Sequence, residues 1–126
     1  MHRQTVATDA APQAVGPYSQ AVWAGDILFC AGQIPLDPAT GNMVAGGIAE
    51  QTTRVLENIR ALLRSQNLDL ANVVKTTVFL TDLNHFAAMN VVYARFFAEA
   101  PPARSTVQVV RLPKDALVEI EAIACR

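Results

Sequence analysis

The chain has 126 residues, 52% of them hydrophobic and 17% charged, with a formal net charge of −1. That is enough apolar material for one packed domain over residues 1–126, and it excludes a disordered chain. No Lys/Arg run supplies the basic footprint of a nucleic-acid binder, and no apolar run approaches the ~20 residues of a membrane span.

Thr5 to Asp9 reads as a short strand or extended arm, and Gly16-Pro17 as a turn. Tyr18 to Ala24 alternates as a strand, and Gly25-Asp26 turns the chain into Ile27-Leu28-Phe29-Cys30-Ala31. That continuous apolar run predicts an inner strand buried on both faces. Pro35 to Gly41 is loop. Ile48, Thr52, Val55, Leu56, Ile59, Leu62 and Leu63 fall on one face at helical spacing, with Glu50, Arg54, Glu57 and Arg64 opposite. Glu50 and Arg54 are spaced for an i,i+4 ion pair. This first helix packs the core, and no chemistry is read from it.

Val73 to Leu80 is a β-branched strand. Asp82 or Asn84 caps a second helix, along one side of which lie Phe86, Met89, Asn90, Tyr93 and Phe97. Pro101-Pro102 ends that region, and strands follow at Ser105–Val110 and Leu117–Ala124. The order β-β-β-α-β-α-β-β predicts an α+β fold, a six-stranded mixed sheet with both helices on one face. In the last strand Val118, Ile120, Ala122 and Ala124 share one side, and Leu117, Glu119, Glu121 and Ile123 the other. A face mixing glutamates with large aliphatics reads as an interface with pockets, hence an oligomer. The low charged fraction and the mean hydropathy of +0.24 agree.

The chemistry concentrates near the end of the chain. Arg104 stands at the mouth of one strand, set rigidly by Pro101-Pro102-Ala103. Its planar fork of donors suits a carboxylate. Glu119 and Glu121 on the next strand can move protons or hold a water. An anion clamp beside an acid/base group is the minimum for processing a small acidic metabolite without a cofactor. A salt bridge from Arg104 to Glu119 or Glu121, or pairing of Glu119 with Lys114, is the plainer alternative. Cys30 and Cys125 form no CxxC and read as two buried free thiols. Met1-His2-Arg3-Gln4-Thr5 precedes no long apolar stretch, so no secretory signal is read and a cytoplasmic setting is the default. His2 is terminal and His85 reads as a solvated first-turn residue. No spacing gives a zinc site or a phosphate-cradling glycine loop, and Ser105 has no histidine partner nearby in sequence.

Several words of the sequence share one pattern. They are Gly16-Pro17-Tyr18-Ser19-Gln20, Gly32-Gln33-Ile34-Pro35, Lys75 to Leu80, Asp82-Leu83, Asn90 through Phe97, Pro102-Ala103-Arg104-Ser105, Leu112-Pro113-Lys114 and Glu119 to Ala124. In this order and spacing the chain resembles the RidA (YjgF-type) reactive-intermediate imine deaminases along its whole length. The resemblance implies a chorismate-mutase-like fold, a homotrimer around a central β-barrel, and ligand clefts between subunits. It implies cofactor-independent hydrolysis of small 2-imino acids and their enamine tautomers, such as 2-iminopropanoate and 2-iminobutanoate, to 2-keto acids and ammonia. No metal, nucleic-acid or membrane partner is implied.

By that resemblance Arg104 grips the substrate carboxylate, and Glu119, with the Thr106 region, handles the attacking water and the proton for ammonia. Tyr18 and Asn90 contact the ligand, and Gly32 lets backbone approach it. Glu121 is the more structural glutamate. Three departures stand out. Ala31 replaces a frequent serine, Thr106 replaces a cysteine of bacterial members, and the loop from Phe97 to Pro102 is short. Two other readings fit the same cleft: a carboxylate-binding module without turnover, and a pathway-specific deaminase for an aminoacrylate- or aminomuconate-like acid. RNA cleavage finds no support in the charge balance.

Overall fold

The computed structural model describes residues 2–126. Its elements are β1 (Arg3–Val6), β2 (Ala21–Ala24), β3 (Ile27–Gln33), α1 (Ile48–Arg64), β4 (Val73–Leu80), α2 (Phe86–Phe96), β5 (Ala103–Gln108) and β6 (Val118–Cys125). The sheet runs β1-β2-β3-β6-β4-β5, with β4 and β5 parallel and every other neighbour antiparallel. The last strand in sequence is therefore inserted beside the third and fourth. The β4-α2-β5 crossover needs a helix because parallel neighbours cannot be joined by a tight turn. The expected mixed sheet with two helices on one face is what the chain forms.

The core lies between that face and the helices. Val55, Leu56, Ile59, Leu62 and Leu63 of α1 meet Leu28 of β3, Val78 and Leu80 of β4, and Val118, Ile120 and Ala124 of β6, all fully buried. The helical period of the α1 residues and the period of two in β6 are what bring these faces together. Asp82 caps a 3-10 turn at Leu83–His85 that leads into α2, its carboxylate accepting from the Asn84 amide at 2.9 Å.

Several expectations need correction. The first strand lies at Arg3–Val6 rather than Thr5–Asp9, and the second starts at Ala21 rather than Tyr18. The cause is Gln20, whose buried amide bonds the backbone of Thr8, Ala11 and Pro12 and folds this arm into loop. The β3 run is buried on one face only: Leu28 and Cys30 point inward, whereas Ile27 and Phe29 are exposed. Cys30 is a buried free thiol, pushed up to about 12 by burial, but Cys125 is exposed because its register partner is Ile27 on the open face. Arg54 pairs with Glu57 at 3.7 Å rather than with Glu50, whose side chain folds back over Gly46. His85 is half-buried, with Nδ1 enclosed and without a partner, rather than solvated.

Candidate functional site

The open face of the sheet is the one without helices. Opposed residues in a ladder share a face, so the register sorts the candidates. Phe79 opposes Glu119 and Thr77 opposes Glu121, which puts both glutamates on the open face. Thr76 opposes Arg104 and Val78 opposes Thr106. Thr76 and Val78 are buried against the helices, so Arg104 and Thr106 face the helical side. Arg104 and Glu119 thus stand on opposite faces of one sheet. The salt bridge from Arg104 to a glutamate of its own chain does not form, and clamp and acid/base group are not side by side within one subunit.

Glu119 borders a cavity of about 510 Å³ with Tyr18, Ala31, Gly32 and Lys114. A one-residue bulge builds its floor. Cys30 pairs with Ala122 and Gln33 with Ile120, leaving an extra residue at Ala31–Gly32. Gly32 makes room for the glutamate: a Cβ there would sit 2.9 Å from the Glu119 carboxyl carbon. The missing side chain serves Glu119 as much as any ligand. Burial, and then the nearby Glu121 charge, hold the Glu119 carboxyl above its ordinary value. Such a group exchanges a proton closer to neutral pH than a free carboxylate does.

The cavity walls come from loops. Tyr18 is 52% exposed, so it is a rim residue and not a core anchor; its hydroxyl accepts from the Val15 amide at 3.3 Å. Among the described residues Lys114 is the one cation lining the cavity. Both Lys114 and Asp115 hold φ of +56°, a left-handed conformation costly for residues with a Cβ. Buried Leu112 and Ala116 on either side, and the Arg111–Asp115 pair at 2.7 Å, hold the turn in that form. The sequence offered Lys114 as an ion-pair partner for Glu119, and the turn brings it to the wall of the same cavity.

Arg104 occupies a separate depression of about 370 Å³ beside Asn90, Tyr93, Pro101 and Pro102. Its Nη1 donates to Asn90 Oδ1 at 2.8 Å. Its guanidinium carbon lies 4.7 Å from the centre of the Tyr93 ring and 5.5 Å from that of Phe86. The Tyr93 hydroxyl is tied to Thr76 Oγ1 at 2.7 Å. Asn90, expected to aim at a ligand, has its carbonyl on Arg104. Thr106 is on this side too, with a buried hydroxyl lacking a partner, and so is not beside Glu119 of its own chain. Among the described residues no group of three His, Cys, Asp or Glu side chains gathers to hold a metal ion, and no helix is long and apolar enough to cross a membrane.

The site thus sits on a six-stranded mixed sheet backed by two helices, with a carboxyl in a bulge-floored cavity and a guanidinium on the far face. The family model described as Endoribonuclease L-PSP matches residues 8–126. A RutC family protein of Pyrococcus horikoshii is 56% identical over 122 residues, covering 97% of each chain. The solved RidA of the Antarctic bacterium Psychrobacter superposes with a TM-score of 0.94 at 45% identity, over 98% of this chain and 99% of that one. TdcF of E. coli, solved with bound serine, superposes with a TM-score of 0.93 at 46% identity over 98% of each chain. The chain belongs to the Rid (RutC, L-PSP) family.

Proposed function

We infer that the chain is a cofactor-independent deaminase of small 2-imino acids, working in clefts between the subunits of a homotrimer. One observation carries this reading. Each chain presents a guanidinium without a carboxylate partner on one face of its sheet and, in a cavity on the other, a carboxyl whose pKa burial raises. Such halves complete one another when copies adjoin, and the open face of the sheet offers Phe29, Val107 and Ile27 to be covered. The family relative TdcF holds serine, a ligand with the carboxylate and nitrogen that a 2-imino acid also carries.

In this reading Arg104 takes the substrate carboxylate with its fork of donors. Glu119 of a neighbouring copy takes a proton from water as the water oxygen bonds to C2 and passes it to the imine nitrogen, giving a carbinolamine. In the collapse Glu119 takes the hydroxyl proton as the keto oxygen forms and gives it to the nitrogen as the C–N bond breaks. Imine plus water gives keto acid plus ammonia, with nothing oxidised or reduced. The reaction already proceeds in water, so positioning and one shuttled proton supply the acceleration. Lack of a hydroxyl at Ala31 leaves Glu119 as the principal water-holding group of its wall.

The test generates imine from an amino acid with an amino-acid oxidase and lets semicarbazide compete for it. The wild-type chain lowers the trapped signal, Arg104→Ala leaves it unchanged, and Glu119→Gln loses about 100-fold or more in rate, the scale of a general acid–base contribution. A wild-type chain that leaves the signal unchanged across several amino acids overturns the deaminase reading.

A further inference from the structure

We propose that Asn90, Phe86 and Tyr93 form a neutral shelf that positions Arg104 while leaving its charge undischarged, and that this shelf sets the affinity of the site for carboxylates. The proposal rests on the deaminase reading only for the identity of the ligand. Phe86, Asn90 and Tyr93 follow one another at i, i+4 and i+7 on α2, so a single helix face supplies all three groups. Asn90 gives a carbonyl at 2.8 Å, Tyr93 a ring at 4.7 Å and Phe86 a ring at 5.5 Å. Tyr93 is itself anchored by the buried bond to Thr76 and by Phe97, whose ring centre is 4.7 Å away.

Every one of these contacts orients the guanidinium, and none neutralises it. Among the described residues no carboxylate lies within ion-pair distance of Arg104, nor of Arg3 or Arg95, although Arg54, Arg60, Arg64, Arg111 and Arg126 each have one. A resident carboxylate would compete directly with a carboxylate ligand. The π faces attract the cation without occupying the donor fork. An amide at position 90 does the same work as an aspartate in fixing geometry, without the charge. Phe86, Asn90 and Tyr93 act here as positioning residues, through Arg104.

The experiment measures two quantities on the full chain. Calorimetry gives the affinity for 2-oxobutanoate, a non-reacting 2-keto acid, and nitrogen relaxation at Arg104 Nε gives the order of the side chain. Asn90→Asp preserves shape and pairs the charge; it should weaken binding about tenfold or more while Arg104 stays ordered. Phe86→Leu, at a position 38% exposed, should weaken binding about two- to fivefold. Tyr93→Leu should weaken it about 5- to 30-fold with loss of Arg104 order, and Tyr93→Phe, which keeps the ring, should return to within about twofold of wild type. Because Tyr93 is buried, its leucine variant is read only alongside Phe86→Leu. Unchanged affinity in Asn90→Asp, or unchanged Arg104 order in both Phe86→Leu and Tyr93→Leu, overturns the shelf. A wild-type chain that neither binds 2-oxobutanoate nor consumes imine overturns the deaminase reading instead, and the relaxation data then decide the shelf alone.

Discussion

Glu119 is where a single side chain decides most. Its carboxyl is half-buried beside Glu121 and keeps its proton to higher pH than an ordinary carboxyl. If it serves as the base, the rate should climb with pH through this raised value and then level off. A pH profile of wild type shows that limb, and Glu119→Gln is flat at a low rate. Stability carries the opposite sign. A folded-state value above the unfolded one means a contribution fully present below the unfolded value and lost as pH rises through the folded one. Glu119→Gln, uncharged throughout, should therefore match wild type in melts at about pH 4 and exceed it near pH 7, by less than about 1 kcal/mol since half the group is solvated. Equal melting at both values would mean the carboxyl titrates as a free one. At this scale Arg104 and Glu119 stand out in the sequence by their chemistry alone. Lys114 stood there only as a charge able to pair with Glu119; the left-handed turn that brings it to the cavity wall leaves no mark in the residue types.

The elements around the cavity are held by polar groups buried inside a helix read as pure core. Asn58 of α1 is fully buried; its amide donates to the Leu36 carbonyl at 2.9 Å, and its oxygen accepts from Arg54. Gln51, two turns earlier on the same face, accepts from the Leu117 amide at 2.8 Å just before β6. The helix thereby pins both the Ile34–Leu36 segment and the entry to the strand that carries Glu119. Asn58→Ala leaves the Leu36 carbonyl unpaired and should cost about 1–3 kcal/mol. Denaturant melts check this, with a lowered midpoint at unchanged slope as the expected result. A loss below about 0.5 kcal/mol would mean water replaces the amide. The helical period predicted this helix and its apolar stripe; which carbonyls its amides would reach depends on a loop over 20 residues away.

The whole molecule decides whether there is a site at all. Arg104 and Glu119 lie on opposite faces of one sheet, so the cleft proposed above draws them from two copies. Arg104→Ala and Glu119→Gln chains should each be nearly inactive alone. Dissociated together in equal amounts and reassembled, they should regain about one quarter of wild-type activity, the fraction of clefts that unite an intact arginine with an intact glutamate. No recovery in mixed assemblies, or a sedimenting monomer that is active, would place both residues in one chain and refute the shared cleft.

The sequence by itself determined the element order, the inward stripe of α1, the two-sided β6 and the residues able to hold a carboxylate or move a proton. These depend on spacing within one element, where periods of 3.6 and 2 suffice. Tertiary structure alone decided that Arg104 and Glu119 face apart, because that follows from which strand pairs with which and from the parity of the register. It also decided that Gly32 yields its space to Glu119, through a bulge one residue long. It decided too that Asn90 of α2 bonds Arg104 of β5, a contact between elements that no spacing within either one contains. A residue's chemistry is written in its own side chain, whereas its neighbours are chosen by pairings between segments far apart in the chain.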